Sequence, residues 1–200
     1  GAWVGRWEGL RGKVVYAADL DHFAASFHSD GFRVRSADSS FAVRDLGWTA
    51  DMARDESGLL VGDMKSWVGS FRLSSREEGA TGLEVDRWTM TQSNGVEAGS
   101  FGTELGVRVQ AIRLGERAFG PGEVEFQLRN LDARSLARLQ NQSVGGLATP
   151  GDRDVARAAV EEGAENPLFE LVSRSPQLEI RTLRLATPSG TLDAKLRIDL

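Results

Sequence analysis

The sequence predicts a mainly β protein of the α+β kind. It should form a curved, antiparallel, many-stranded sheet, with three short helices near residues 131–174 and a closing β-hairpin over 177–200. Three observations predict this. Apolar and polar residues alternate over Phe32–Ser36, Val124–Arg129 and Thr191–Leu200, the period of a strand with one covered face. Glycine is frequent, at 23 of 200 residues, and proline scarce, at 5, which suits many short strands joined by glycine-containing turns. The period then changes from strand-like to helix-like at Leu128–Gln140.

The elements follow in chain order. Trp3–Glu8 and Lys13–Leu20 flank Gly9–Gly12 and read as a hairpin. Asp21–Phe27 continues extended or turns. Ser29-Asp30-Gly31 reads as a turn, because glycine accepts positive φ. Strands are expected at Phe32–Ser36, Phe41–Leu46 and Gly47–Met52. After an Asp55–Gly58 turn comes Leu59–Val61, and then a strand with Trp67, Gly69, Phe71 and Leu73 on one face. Residues 76–81 are a polar loop tip. Leu83 and Val85 are out of phase with Trp88 and Met90, and Leu105–Ala111 is out of phase with Ile112 and Leu114. Such a slip predicts either a β-bulge with an extra residue near Asp86-Arg87, or a strand that crosses between two packed faces. Ser93-Asn94-Gly95 and Gly120-Pro121-Gly122 read as turns.

Asp132 can cap a helix over about 133–141 by accepting its free first-turn amides. Ala133, Leu136, Ala137 and Leu139/Gln140 form its apolar stripe, with Arg134 and Arg138 one turn apart on the other side. A second helix is expected from Asp152 or Asp154 to about Glu162, stopped by Gly163. A third opens at Asn166-Pro167 and buries Leu168, Phe169, Leu171 and Val172. Leu178–Leu185 and Thr191–Leu200, joined through Thr187–Gly190, make the closing hairpin. Leu192, Ala194, Leu196, Ile198 and Leu200 line its covered face.

The chain is expected to be one β-rich domain over 1–200, divided into strands to 128, a helical insertion at 131–174 and the hairpin. Both ends read as cut: Gly1-Ala2 precedes Trp3 like an added leader, and Leu200 stops within a strand. The formal charge of −5 argues against a duplex nucleic-acid partner, whose phosphates need a basic face. With no cysteine, disulfides and thiolate metal sites are excluded. No run of 18 apolar residues is present to span a membrane as a helix.

Chemistry finds no foothold, so the protein is expected to be no enzyme, with no catalytic residue, cofactor site or metal site. His22 and His28, with Asp19 and Asp21 nearby, fall short of three or four converging ligands and read as surface histidines. Asp51, Asp55 and Glu56 lack the spacing and glycine of a calcium loop. There is no nucleophile elbow, and the glycine-rich pieces lack the context of a phosphate loop. Asn141-Gln142-Ser143 matches a glycosylation acceptor and is read as carrying no function. Arg129, Arg134 and Arg138 form either a basic ridge for an acidic lipid or partner, or a solvated face with paired charges, and the second reading is favoured. Leu128, Asn130, Leu131, Asp132 and Leu136 form a structural signature: strand end, polar exit and helix cap. Core packing accounts for most of Trp3, Trp7, Trp48, Trp67 and Trp88, and a groove or partner surface for one or two.

Glu123–Gln140, reading EVEFQLRNLDARSLARLQ, resembles the YdgA-like family of bacterial envelope proteins (domain of unknown function 945). So do Ser175–Ile180 and Leu183–Gly190, which are similar to that family's closing hairpin, and, more loosely, Leu60–Asp63. The resemblance is firm over about residues 100–200. It implies a periplasmic protein held to the inner membrane by an N-terminal helix outside this chain, of which this is the C-terminal portion. It brings no catalytic residue. The function expected is interaction or assembly in the cell envelope, with a homodimer or an envelope protein as partner. The alternative is binding or transfer of lipid or another hydrophobic ligand along the curved sheet.

Overall fold

The computed structural model describes residues 2–18, 21–75, 81–145, 170–171 and 173–199, with the backbone alone for 141–145. The protein is mainly β. An open, curved, antiparallel sheet of eleven strands runs in the order β1-β3-β4-β5-β6-β7-β9-β10-β11, with β2 also on β3 and β8 also on β7. Its body is four hairpin-connected strands of similar length: β4 (Ser39–Arg54), β5 (Leu60–Ser75), β6 (Leu83–Glu97) and β7 (Ser100–Leu114). On one side lie β3 (His22–Arg35) and the edge pieces β1 (Val4–Glu8) and β2 (Arg11–Tyr16). On the other lie β8 (Arg117–Phe119), β9 (Gly122–Asp132), β10 (Gln177–Thr187) and β11 (Gly190–Asp199).

These strands are much longer than their sequence suggests, because three apparent turns are not turns. Ser29-Asp30-Gly31 lies inside β3, Ser93-Asn94-Gly95 inside β6, and Gly120-Pro121 between two strands that continue one another on β7. Turn propensity is local, whereas a strand paired on both sides is held by two ladders, and tertiary pairing wins. The polar residues find partners within the sheet: Asn94 Oδ1 accepts from Gly62 N at 2.7 Å. The real turn after β6 is Ala98-Gly99, where both residues have positive φ (49° and 74°), the geometry a tight hairpin needs. Nor do β1 and β2 form a hairpin with each other. Both pair with β3, Glu8 with Gly31 and Arg11 with His28, so they are one edge strand broken at Gly9-Leu10. The buried Ser29 holds the break: its Oγ donates to Gly9 O at 2.7 Å and accepts from Gly31 N at 3.2 Å.

That break belongs to a crease crossing the sheet. Pairing lapses at Asp30 and Asp45 between β3 and β4, at Gly69 and Arg87 between β5 and β6, and at Gln110 on β7. Opposite Gln110 stands the Gly120-Pro121 interruption. Asp45 and Arg87, both on this line, have φ of 51° and 48°. The phase slips in β6 and β7 mark the crease, but no extra residue causes them. Phe71 faces Val85 and Val68 faces Trp88, so each strand contributes two residues between the two pairs, Gly69 and Ser70 against Asp86 and Arg87. Phe41 and Val43 of β4 are likewise odd-numbered, whereas Leu46, Trp48, Ala50 and Met52 are even-numbered. Positive φ at Asp45 and Arg87 turns the chain there without changing its register.

True bulges occur elsewhere. In β9, Arg129 and Asn130 together oppose Gly102, and Asn130 has φ of 62°. In β10 the register shifts between Ile180 and Leu183. The closing hairpin β10–β11 turns through Pro188-Ser189, from Thr187 to Gly190.

Among the described residues there is one complete helix, α1 (Ala133–Gly145), running past the expected end near Asn141. The second expected helix lies outside the described residues. Of the third, Glu170 and Leu171 are described as helical. Helix α1 packs at one end of the sheet, where Leu59, Ala133 and Ala137 form the core cluster, flanked by Val61, Val96, Phe101 and Leu136.

Candidate interaction surfaces

The signature residues build the corner between β9 and α1. Leu128 is the last regular residue before the bulge, facing Thr103 and Leu178. Asn130 takes the left-handed conformation, which its short polar side chain tolerates, and its Nδ2 donates to Ser175 O at 3.5 Å. Leu131 is buried, and Leu136 packs beside the core cluster. Asp132 Oδ1 accepts from Ser135 N at 2.9 Å and from Ser135 Oγ at 3.0 Å. Its Oδ2 accepts from Arg174 Nε at 3.0 Å. The Ser135 amide first, and the Arg174 guanidinium after it, hold the Asp132 carboxyl below its ordinary value against the opposing effect of burial. Asp132→Ala should therefore lower stability by about 1 kcal/mol, the usual magnitude for a lost cap. The sign in pH follows from the depressed folded-state pKa. The Asp132 contribution is complete above the unfolded-state pKa and is lost as pH falls through the folded-state value. Denaturant midpoints of wild type and Asp132→Ala should thus differ at neutral pH and converge in acid.

One face of the lower half-sheet, on the side of the crease where β2 lies, is polar and neutralised within itself. Arg108 donates to Glu123 at 2.5 Å and to Glu125 at 3.0 Å, and these carboxylates push its guanidinium pKa up. Arg181 and Arg129 reach Glu104, Gln127 Nε2 donates to Glu104, and Arg184 pairs with Asp193 at 2.9 Å. Between these ladders runs an open groove of about 580 Å³, lined among others by Asp63, Lys65, Thr91, Glu104, Arg108 and Arg181. Its charges are of both signs, so a purely hydrophobic ligand would meet desolvation costs there.

The apolar residues of the lower half-sheet form cross-strand rows on the alternate positions. One row joins Leu46, Val68, Trp88, Val109, Gly122, Leu185 and Leu192. Another runs through Ala50, Met64, Gln92, Leu105, Phe126, Ile180 and Leu196, apolar except at Gln92. The apolar face expected to be covered at the hairpin is open: Leu192, Leu196 and Ile198 are 51%, 49% and 38% exposed. The amphipathic pattern was correctly read, but β11 has a neighbour on one edge only and no described layer above it. The opposite edge exposes Val4, Val14 and Tyr16.

The other candidates separate. His22 and His28 stand on the same strand, each with its own acidic partner. His22 Nε2 is 2.8 Å from Asp51, and His28 Nε2 is 3.1 Å from Asp45, which also accepts from Trp67 Nε1 at 3.2 Å. Asp21 pairs with Arg54, while Asp19 lies outside the described residues. Asp55 organises the β4–β5 turn by accepting from the Ser57 and Leu59 amides. Arg129 and Arg138 go to different partners, Glu104 and Glu170, rather than forming a common ridge. Trp67 packs flat on Gly47, where a Cβ would come within 2.1 Å of the indole. Trp3 and Trp7 are more than half exposed, although Trp7 stacks on Phe32 at 5.4 Å. Sequence reasoning missed the crease in β3, β4 and β5. The signal was there, in the parity change from Phe27 to Phe32, Val43 to Leu46 and Val68 to Phe71.

No helix among the described residues is long and apolar enough to cross a membrane. No characterised protein and no solved structure matches the chain. The strand–corner–hairpin sequence that carries these features matches, over residues 4–200, the family described as bacterial protein of unknown function (DUF945), and the chain belongs to that family.

Proposed function

We propose that this protein works without catalysis, by docking the apolar face of its open sheet against another protein surface, a second copy of itself being the simplest partner. The observation that carries this reading is the mismatch between pattern and burial. Cross-strand rows, apolar except at Gln92, run from β4 to β11 across the lower half-sheet, yet the core cluster is a small group at the α1 corner. Apolar surface left in water on this scale marks an interaction site. The finer family likeness, to YdgA-like envelope proteins, supports a place for this chain as the C-terminal portion of a periplasmic protein anchored to the inner membrane. Sedimentation at graded concentrations should show reversible self-association, weakened when Leu196→Lys places a charge in the row. A strict monomer that captures no envelope protein would sink the reading.

The exposure of Leu192, Leu196 and Ile198 also supports a second occupant for the same face, a lipid or other hydrophobic ligand. Native mass spectrometry of gently purified protein separates the two. A bound lipid displaced by Leu196→Lys favours carriage, and a lipid-free dimer favours docking.

A further inference from the structure

Beyond the crease, the face alternate to the aromatic residues carries an arginine excess that the protein does not neutralise. Arg72 and Arg113 pair with Glu84 and Asp86, the shortest contacts being 2.5 and 2.6 Å. Arg6, Arg33, Arg35 and Arg44 make no ion pair among the described residues. Arg6 stands directly opposite Arg33 on the neighbouring strand. Like charges facing each other across a ladder, about 5 Å apart, are destabilising. That placement is costly in a chain whose net charge is −5 and which has carboxylates to spare.

Shape points the same way. Arg33, Arg44, Arg72 and Arg113 border one shallow hollow of about 400 Å³, with Ser40 and Ser70 also in its wall. Its carboxylate, Glu84, is taken up by Arg72 and Arg113, which leaves Arg33 and Arg44 as the uncompensated cations. Arg33 faces Ala42, so Arg44 is its diagonal neighbour, about 7–8 Å away. At that separation each guanidinium can take a different phosphate group. The cations are all arginine, whose planar fork binds phosphate oxygens in pairs. From these features we infer that this hollow binds a diphosphate group, with Arg33 and Arg44 as its principal ligands and the serine hydroxyls as further donors. The site is separate from the apolar rows, and it holds whether or not they dock a partner.

Calorimetric titration with inorganic pyrophosphate tests this. Wild type should bind, and Arg33→Gln/Arg44→Gln should weaken binding at least about tenfold, the loss expected from two charge-assisted contacts. Arg134→Gln, at an exposed position of α1, should bind like wild type. Arg33→Gln alone should melt no lower than wild type, since it relieves the repulsion from Arg6, and this separates loss of a ligand from loss of fold. Flotation with vesicles of equimolar phosphatidylglycerol and phosphatidylcholine identifies the source. Vesicle binding that pyrophosphate competes away supports a lipid-borne phosphate, and pyrophosphate binding without flotation supports a soluble one. No pyrophosphate binding, or binding unchanged in the double variant, overturns the assignment.

Discussion

Replacing Gly31 by alanine is expected to cost about 3 kcal/mol or more, because strain and collision coincide there. Gly31 has φ of 146°, a region that side-chain-bearing residues rarely enter, and a Cβ built on it lies 2.3 Å from Val43 O. The oxygen belongs to the neighbouring strand, so relief requires moving backbone and opening the crease beside Asp45. Gly190 provides the control. Its φ is 143°, yet nothing lies within 4 Å of its Cβ position. Gly190→Ala should therefore show the conformational penalty alone. Denaturation midpoints of the two variants measure the close approach by difference. Equal losses would mean that the sheet shifts freely at Gly31 and that the crease is soft.

Leu59→Ala should lower stability by about 2–4 kcal/mol, the range for truncating a well-packed leucine. Leu59 is 4% exposed and bridges the β4–β5 turn to Ala133 and Ala137 of α1. Asp55 aims it by accepting from its backbone amide at 3.0 Å. The effect should also be local, since the cluster sits at one end of a sheet whose other strands are held by their ladders. Hydrogen exchange should show lost protection in α1 and little change in the centre of β5 and β6. A uniform loss across the sheet would show instead that the corner and the strands unfold as one unit.

Several features were legible from neighbouring residues. Asp132 with Ser135 three positions on makes a cap wherever a helix begins, and Asn130 tolerates positive φ through its own chemistry. The hairpin through Thr187–Gly190 follows from strict alternation on both sides of a tight turn. The phase slip at Arg87 was visible because Val85 and Trp88 cannot share a face in a regular strand. Its mechanism was not, since an inserted residue and a positive φ leave the same mark on one strand. Only the pairing of Val68 with Trp88 and Phe71 with Val85 tells them apart.

The misread segments share a cause. Gly9–Gly12, Ser29–Gly31, Ser93–Gly95 and Gly120–Gly122 all contain residues that favour turns, and in isolation each would turn. In the folded sheet they are places where strands yield to their neighbours: Gly31 to Val43, and Gly120 to Gln110, whose carbonyl oxygen a Cβ would meet at 2.7 Å. The candidate arginine site was equally invisible. Arg6, Arg33 and Arg44 are scattered along the chain, and only register brings them to adjacent strands.

The sequence by itself determined the mainly β character, the amphipathic strands, the capped corner and the closing hairpin, because each depends on residues a few positions apart. Tertiary structure alone decided which strands pair, that their irregularities align into one crease, and that the apolar rows stay open at β11. Those outcomes depend on backbone hydrogen bonds between distant segments, and such bonds carry no side-chain code that a single strand can display.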